Sequence, residues 1–272
     1  MGRISTKKIG TTFLIGPPVI ALIALGPPPV LFLLVLLATF LGLREFFDLA
    51  HPLAAASERW SGIGLGLALA VAVSFGTRES AFPVFVLILL LLALLHMALS
   101  ENLPSTISSL AVSFFGIFYV AFLLSHVSLI RKLPSGREWV LFLIATVWAA
   151  DIFALLGGVL IGKHKLYPKI SPNKTVEGLI VGIGGSVLVA LVFSFFFLPR
   201  LTTGVCLFLA VGLGVLSPVG DFTESMIKRS AQVKDSGALF PGHGGMLDRL
   251  DSFLFSAPFL HLSLSHLWKE VL

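Results

Sequence analysis

Long apolar runs separated by short polar breaks make up most of the chain. Cutting at charged residues and at Pro/Gly-rich stretches leaves segments at about 12–26, 30–43, 61–76, 81–99, 108–130, 139–162, 177–198, 203–220 and 252–267. Most approach the roughly 20 residues that a helix needs to cross a bilayer. The first is short and contains Pro17 and Pro18, which predicts a kinked or partial crossing. Arg3, Lys7 and Lys8 ahead of it resemble the start of a secretory leader. Only Pro27–Pro29 separate it from the next apolar run, however, and no small-residue cleavage site is evident, so we read it as an uncleaved first span. The pattern predicts an all-α polytopic integral membrane protein with about nine transmembrane helices and a polar, cytoplasm-facing cavity. N-terminal transmembrane helices would occupy 1–135, and a C-terminal transmembrane catalytic region 136–272.

Composition sharpens this. Of 272 residues, 56% are hydrophobic and 12% charged, with a mean hydropathy of +0.99, against roughly 25% charged in a soluble domain. A soluble globule and a disordered chain are both excluded. One cysteine rules out a disulfide scaffold, and thinly spread basic residues argue against nucleic acid as a partner. A net charge of +5 suits an anionic lipid surface or an anionic substrate. Cys206, inside an apolar run, reads as a small buried hydrophobe. Gly158 with Gly162, and Gly178 with Gly182, have the four-residue spacing that lets membrane helices approach closely. Trp60, Trp139 and Trp268 fall near span ends, where an interfacial anchor is expected, and Trp148 lies deeper.

Charge is very unevenly placed. Between Ala81 and Ile130 the only acidic or basic residue is Glu101, whereas Asp221–Asp251 contains Asp221, Glu224, Lys228, Arg229, Lys234, Asp235, Asp248, Arg249 and Asp251. Lys and Arg also crowd the 163–177 connection, and the positive-inside rule puts both connections on the cytoplasmic side. Asp221, Ser225 and Lys228 are spaced i, i+4 and i+7 in continuation of an apolar span, which predicts a polar stripe on a helix entering the membrane. Facing lipid, such charges cost roughly 2.5 to 3.5 kcal/mol each at mid-depth. They must therefore line water or one another.

This segment offers carboxylates at Asp221, Asp235, Asp248 and Asp251, hard oxygen ligands suited to magnesium. Lys228, Arg229, Lys234 and Arg249 complement phosphates. Gly242, Gly244 and Gly245 around His243 allow backbone to approach a ligand and present amides to an anion. Acid, base and glycine gathered at a membrane face suggest metal-assisted phosphoryl or nucleotidyl transfer. A transporter is the alternative from another class, with Asp151 in the 139–162 run as its ion or proton site. Transporters, though, tend to show two similar halves, and no repeat is visible here. No histidine pair has the H-E-x-x-H spacing of a metalloprotease.

The stretch SMIKRSAQVKDSGALFPGHGGMLDRLD, Ser225–Asp251, resembles the signature of the phosphatidate cytidylyltransferases (CDP-diacylglycerol synthases): S-x-x-K-R, four residues, K-D, then H-G-G-x-x-D-R-x-D. Ser225, Lys228, Arg229, Lys234, Asp235, His243, Gly244, Gly245, Asp248, Arg249 and Asp251 occupy its fixed positions. Upstream, Ser171-Pro172-Asn173-Lys174-Thr175-Val176-Glu177-Gly178 is similar to the family's S-P-x-K-T-x-E-G element. A third element, Asp followed by A-Y-x-x-G, is matched at Asp151, Ala154 and Gly158, with Leu155 in place of the tyrosine. The resemblance covers roughly the C-terminal half.

It implies the reaction of CTP with phosphatidic acid to give CDP-diacylglycerol and pyrophosphate, with magnesium, alone or with a second cation, in a many-span homodimer among membrane lipid. Asp221, Asp248 and Asp251 would be the metal ligands. Lys228, Arg229 and Arg249 would hold triphosphate or lipid phosphate, joined by Lys174, which follows a Ser171 cap and Pro172 at the start of a helix. Glu177 would orient Lys174 or bind cytidine. Ser171, Thr175, Ser225, Lys234, Asp235, His243, Gly244, Gly245 and Asp151 would contact substrate. No general base is needed, because the attacking phosphate is already ionised. A CTP-dependent polyprenol kinase, which would release CDP, is the neighbouring reaction class.

Overall fold

A computed structural model of the chain describes residues 6–52, 55–99, 103–240 and 244–267. Helices account for almost all of it: α1 (Thr6–Leu25), α2 (Pro28–Ala50), α3 (Ala56–Phe75), α4 (Ala81–Leu99), α5 (Leu103–Gly116), α6 (Leu123–Arg131), α7 (Gly136–Ile161), α8 (Val176–Phe197), α9 (Thr203–Ser230) and α10 (Leu247–Leu262). A π-helical stretch, Ile117–Phe122, joins α5 to α6 without interrupting the helix. One hairpin, β1 (Lys165–Tyr167) with β2 (Ser171–Thr175), pairs antiparallel between α7 and α8.

The chain is an all-α polytopic integral membrane protein. Every predicted apolar segment falls on a helix. Among the described residues six helical runs are long and apolar enough to cross a bilayer: Pro28–Ala50, Ala81–Ala98, Pro104–Arg131, Gly136–Ile161, Val176–Phe197 and Thr203–Ser230. α3 starts with the polar Ser57, Glu58 and Arg59, and α10 is 16 residues long. The first segment forms the 20-residue helix α1, with Pro17 and Pro18 inside it.

The helices gather into two compact units: Met1–Leu129 with Ser230–Leu250, and Ile130–Arg229 with Asp251–Leu272. The first has an aromatic core in which Phe46 stands edge-on to Phe47 and near Phe115 and Tyr119, with Phe115 stacked on Tyr119. Its buried polar groups pair across helices, Ser74 with Ser128 at 2.9 Å and Ser113 with His96 at 3.4 Å. Such links substitute for water that hydrocarbon cannot supply.

In the second unit α8 lies along α7 over a glycine face. A Cβ at Gly178 would stand 2.7 Å from Ala154 O, and one at Gly182 would stand 2.7 Å from Ala150 O and 2.9 Å from Ala154 Cβ. The glycine spacing is therefore a packing device. Gly182→Leu is expected to pry α8 from α7 and cost about 1–3 kcal/mol, read as a lowered Tm in detergent. Trp139 is corrected from an interfacial anchor to core: it is fully buried and edge-on to Phe142. Trp268 lies outside the described residues. Cys206 is buried, its thiol 3.6 Å from Ser194 Oγ. Large apolar side chains on the outside, among them Val159, Leu160, Phe195 and Phe196, are the faces that lipid would cover.

Candidate active site

In the second unit the polar residues of the sequence motifs meet where α7, α9, α10 and the hairpin approach one another. The S-P-x-K-T-x-E-G element begins as strand, so Ser171 is not a helix cap. Residues Ser171–Thr175 are held extended by pairing with β1, and the helix starts only at Val176. Its cap is Thr175, buried and with extended backbone, whose Oγ1 accepts the Gly178 N–H at 3.1 Å. The strand delivers Lys174 to α9, where its Nζ pairs with Asp221 Oδ2 at 2.5 Å and lies 4.6 Å over the Phe222 ring.

The predicted polar stripe on α9 exists because the helix runs on to Ser230. Ser225 Oγ donates to Asp221 Oδ1 at 3.3 Å, and Lys228, buried, forms an ion pair with the fully buried Glu224 one turn earlier. Arg229 is exposed and its Nε donates to Ile170 O at 3.4 Å, fastening the end of α9 to the hairpin turn. Asp151 on α7 accepts from Ser217 Oγ at 2.9 Å and from Ser252 Oγ at 3.3 Å. Asp251 accepts the Ser252 N–H at 2.7 Å. Asp151, Asp221 and Asp251 repel one another electrostatically, and Lys174 attracts Asp151 and Asp251.

Glu177 is engaged at the entrance of the hairpin. Its carboxylate accepts from His164 Nδ1 at 2.5 Å and from the backbone N–H groups of Lys163 and His164 at 3.0 to 3.3 Å. It ties the entrance of the hairpin to the first turn of α8. Ser217, Glu224 and Ser252 are the residues of this cluster that motif reading overlooked. Serine facing a carboxylate across two helices leaves no local pattern.

With Glu224 paired to Lys228, the carboxylates of Asp151, Asp221 and Asp251 against the ammonium of Lys174 leave the rest of the cluster electron-rich in hard oxygen. Among the described residues no three His, Cys, Asp or Glu side chains converge as a ready-made metal cage. Magnesium does not ask for one, since it is usually held by one or two protein carboxylates, with phosphate oxygens and waters completing its shell. The donor set therefore fits that ion.

In the first unit Gly244 and Gly245 of the signature are tightly held. Asp248, in the first turn of α10, accepts two backbone donors on Oδ2, Ser236 N–H and Gly245 N–H, each at 2.8 Å, and the Ser236 hydroxyl lies 2.9 Å from the same oxygen. Gly244 has φ +76°, a conformation that side chains rarely adopt, and a Cβ there would overlap Asp248 Oδ2. A Cβ on Gly245 would overlap Glu45 Oε2. The glycines at these positions are thus required by the backbone and by the two carboxylates. Phe240 N–H donates to Gly244 O at 2.9 Å. Lys234, Asp235 and Arg249 are exposed on this segment. Gly242 and His243 lie outside the described residues.

Residues 6–267 match the family model described as "Cytidylyltransferase family". The chain is 40% identical over 155 residues to a phosphatidate cytidylyltransferase of Staphylococcus haemolyticus, covering 57% of each chain. It is 45% identical over 130 residues to one from Staphylococcus epidermidis and 43% identical over 130 residues to one from Staphylococcus aureus, in both cases 48% of this chain and 50% of the relative. The matched part spans about half the length of these curated relatives.

Proposed function

The chain belongs to the cytidylyltransferase family, and from that premise we propose that it transfers the cytidylyl group of CTP to phosphatidic acid, giving CDP-diacylglycerol and pyrophosphate. The observation that carries the reading is the pairing of Lys174 with Asp221 on α9, the helix whose Ser217, together with Ser252 beside Asp251 on α10, hydrogen-bonds Asp151. Charged groups so placed are costly unless they work on a polar ligand.

Both reactants are anions, so charge neutralisation is the main obstacle. A phosphatidate oxygen attacks the α-phosphorus of CTP, the bond from that phosphorus to the oxygen bridging the α and β phosphates breaks, and pyrophosphate departs. No proton has to be removed from the nucleophile. Lys174 and Arg229 supply positive charge to phosphate oxygens. Lys228 does so while held by Glu224, which would keep its ammonium from collapsing onto Asp221. Asp221 and Asp251 are our assignment for the residues that hold magnesium, and the ion, when bound, would neutralise the triphosphate and favour loss of pyrophosphate. Asp151, Ser217 and Ser252 brace the cluster. We assign the site to the cytoplasmic side, which the positive-inside rule supports, and the resemblance extends the proposal to a homodimer.

The test is product identification with the full chain in lipid. Pyrophosphate is expected to appear one-for-one with CDP-diacylglycerol, only when magnesium, CTP and phosphatidic acid are all present. Release of CDP with a phosphorylated lipid alcohol would assign a kinase instead. Solute flux across sealed vesicles without nucleotide turnover would assign a transporter.

A further inference from the structure

Glu45 belongs to α2, about 190 residues before the signature segment, and nothing in the motifs points to it. Within the first unit its carboxylate takes three donors from that segment. Oε1 accepts the Met246 N–H at 2.8 Å, while Oε2 accepts the Leu247 N–H and the Ser236 hydroxyl, each at 2.8 Å. Leu247 opens α10, and Met246 immediately precedes it, so these are backbone donors that the helix itself leaves unpaired. A carboxylate in the last two turns of α2 sits at the unfavourable end of that helix's dipole, and it is compensated at the favourable end of α10.

The arrangement is reciprocal. The hydroxyl of Ser236 has a single proton, yet it lies 2.8 Å from Glu45 Oε2 and 2.9 Å from Asp248 Oδ2, while it accepts the Asp248 N–H at 3.3 Å. Between them Glu45 and Asp248 engage the backbone N–H groups of Ser236, Gly245, Met246 and Leu247. Cβ atoms on Gly237 and Gly245 would press on the Glu45 carboxylate, at 2.8 Å for Gly237. The loop is moulded around that side chain.

We infer that Glu45 is a positioning residue: with Ser236 as its relay, it holds Gly245, Met246 and the first turn of α10 in the conformation the transfer reaction uses. It touches neither substrate nor metal, and acts through Asp248 and the loop. The effect on turnover rests on the cytidylyltransferase reading above, whereas the effect on the loop does not.

Two readouts on the full chain in lipid separate them. Hydrogen exchange should find the amides of Gly245, Met246 and Leu247 exchanging at least about tenfold faster in Glu45→Ala, because each has lost its acceptor or that acceptor's support. Exchange in α7 and α8 and the thermal midpoint should stay at wild-type values. Synthesis of CDP-diacylglycerol should fall on the order of 100-fold, as expected when a site's frame moves by about an ångström. Glu45→Gln keeps one acceptor and should recover part of both losses, while Glu45→Asp, one methylene short, should recover neither. Should Glu45→Ala fail to fold, Ser236→Ala carries the test, with the same loop amides loosened. Wild-type exchange at those amides in the Ala and Gln variants would overturn the inference. So would loosened amides with undiminished turnover. An inactive wild type whose loop amides still loosen in Glu45→Ala would instead remove the assigned reaction and leave the loop-holding role standing.

Discussion

Asp248→Asn is expected to lower turnover by at least about 100-fold while the protein still inserts and purifies. The wild-type carboxylate meets two backbone donors and the shared Ser236 hydroxyl with one oxygen, and bonds to an ionised acceptor are roughly twice as strong as neutral ones. An amide with its oxygen in that place keeps the geometry and loses the charge. With its NH2 there, donor faces donor, and the loop must open. Gly244 gives no relief, since its backbone is already in a conformation with φ +76° and lies against the same carboxylate. Steady-state rates at rising magnesium decide how the residue works. Recovery of rate at high magnesium would assign the carboxylate to the ion, as the motif suggests. A loss indifferent to magnesium, together with faster exchange at Gly245, would assign it to the loop. Wild-type turnover in the Asn variant would defeat both roles.

Lys174→Ala should be equally damaging, for an electrostatic reason. The lysine is the cation paired with Asp221, and it also attracts Asp151 and Asp251. Without it three carboxylates face one another and an incoming triphosphate would meet net repulsion. Removing one such charge-stabilising donor typically costs 10²–10³-fold, or about 2.7–4 kcal/mol. kcat/KM for CTP is therefore expected to fall by about that factor, with a large part of it in KM. Lys174→Arg preserves the charge and should retain a measurable fraction, although a planar guanidinium cannot reproduce the ammonium over the Phe222 ring and on Asp221 together. Full activity in the Ala variant would remove Lys174 from the site.

Much of the site was legible because its parts are contiguous. Ser225, Lys228 and Arg229 follow Asp221 on one helix, so their spacing alone aligned them, and α9 does run through to Ser230. Elsewhere local reading went astray for identifiable reasons. Ser171 followed by proline looks like a helix start, yet Pro172 is equally at home in an extended strand, and pairing with β1 decided the matter. Trp139 sits near a span end in sequence but points into the bundle. Glu177, for which Lys174 or cytidine was the expected partner, reaches back to His164, a contact that its spacing does not announce.

Hydropathy is a sum over neighbouring residues, and a bilayer tests that sum directly, so the residues by themselves determined that this is a helical membrane protein with an ionic segment near its carboxy end. Which carboxylate meets which donor depends on where the backbone travels between packed helices. The pairing of Lys174 with Asp221, the bracing of Asp151 by serines from two other helices, and the grip of Glu45 on a loop 191 residues away from it were decided by the tertiary structure alone. A carboxylate carries no information about its partner until packing brings the two within hydrogen-bond distance.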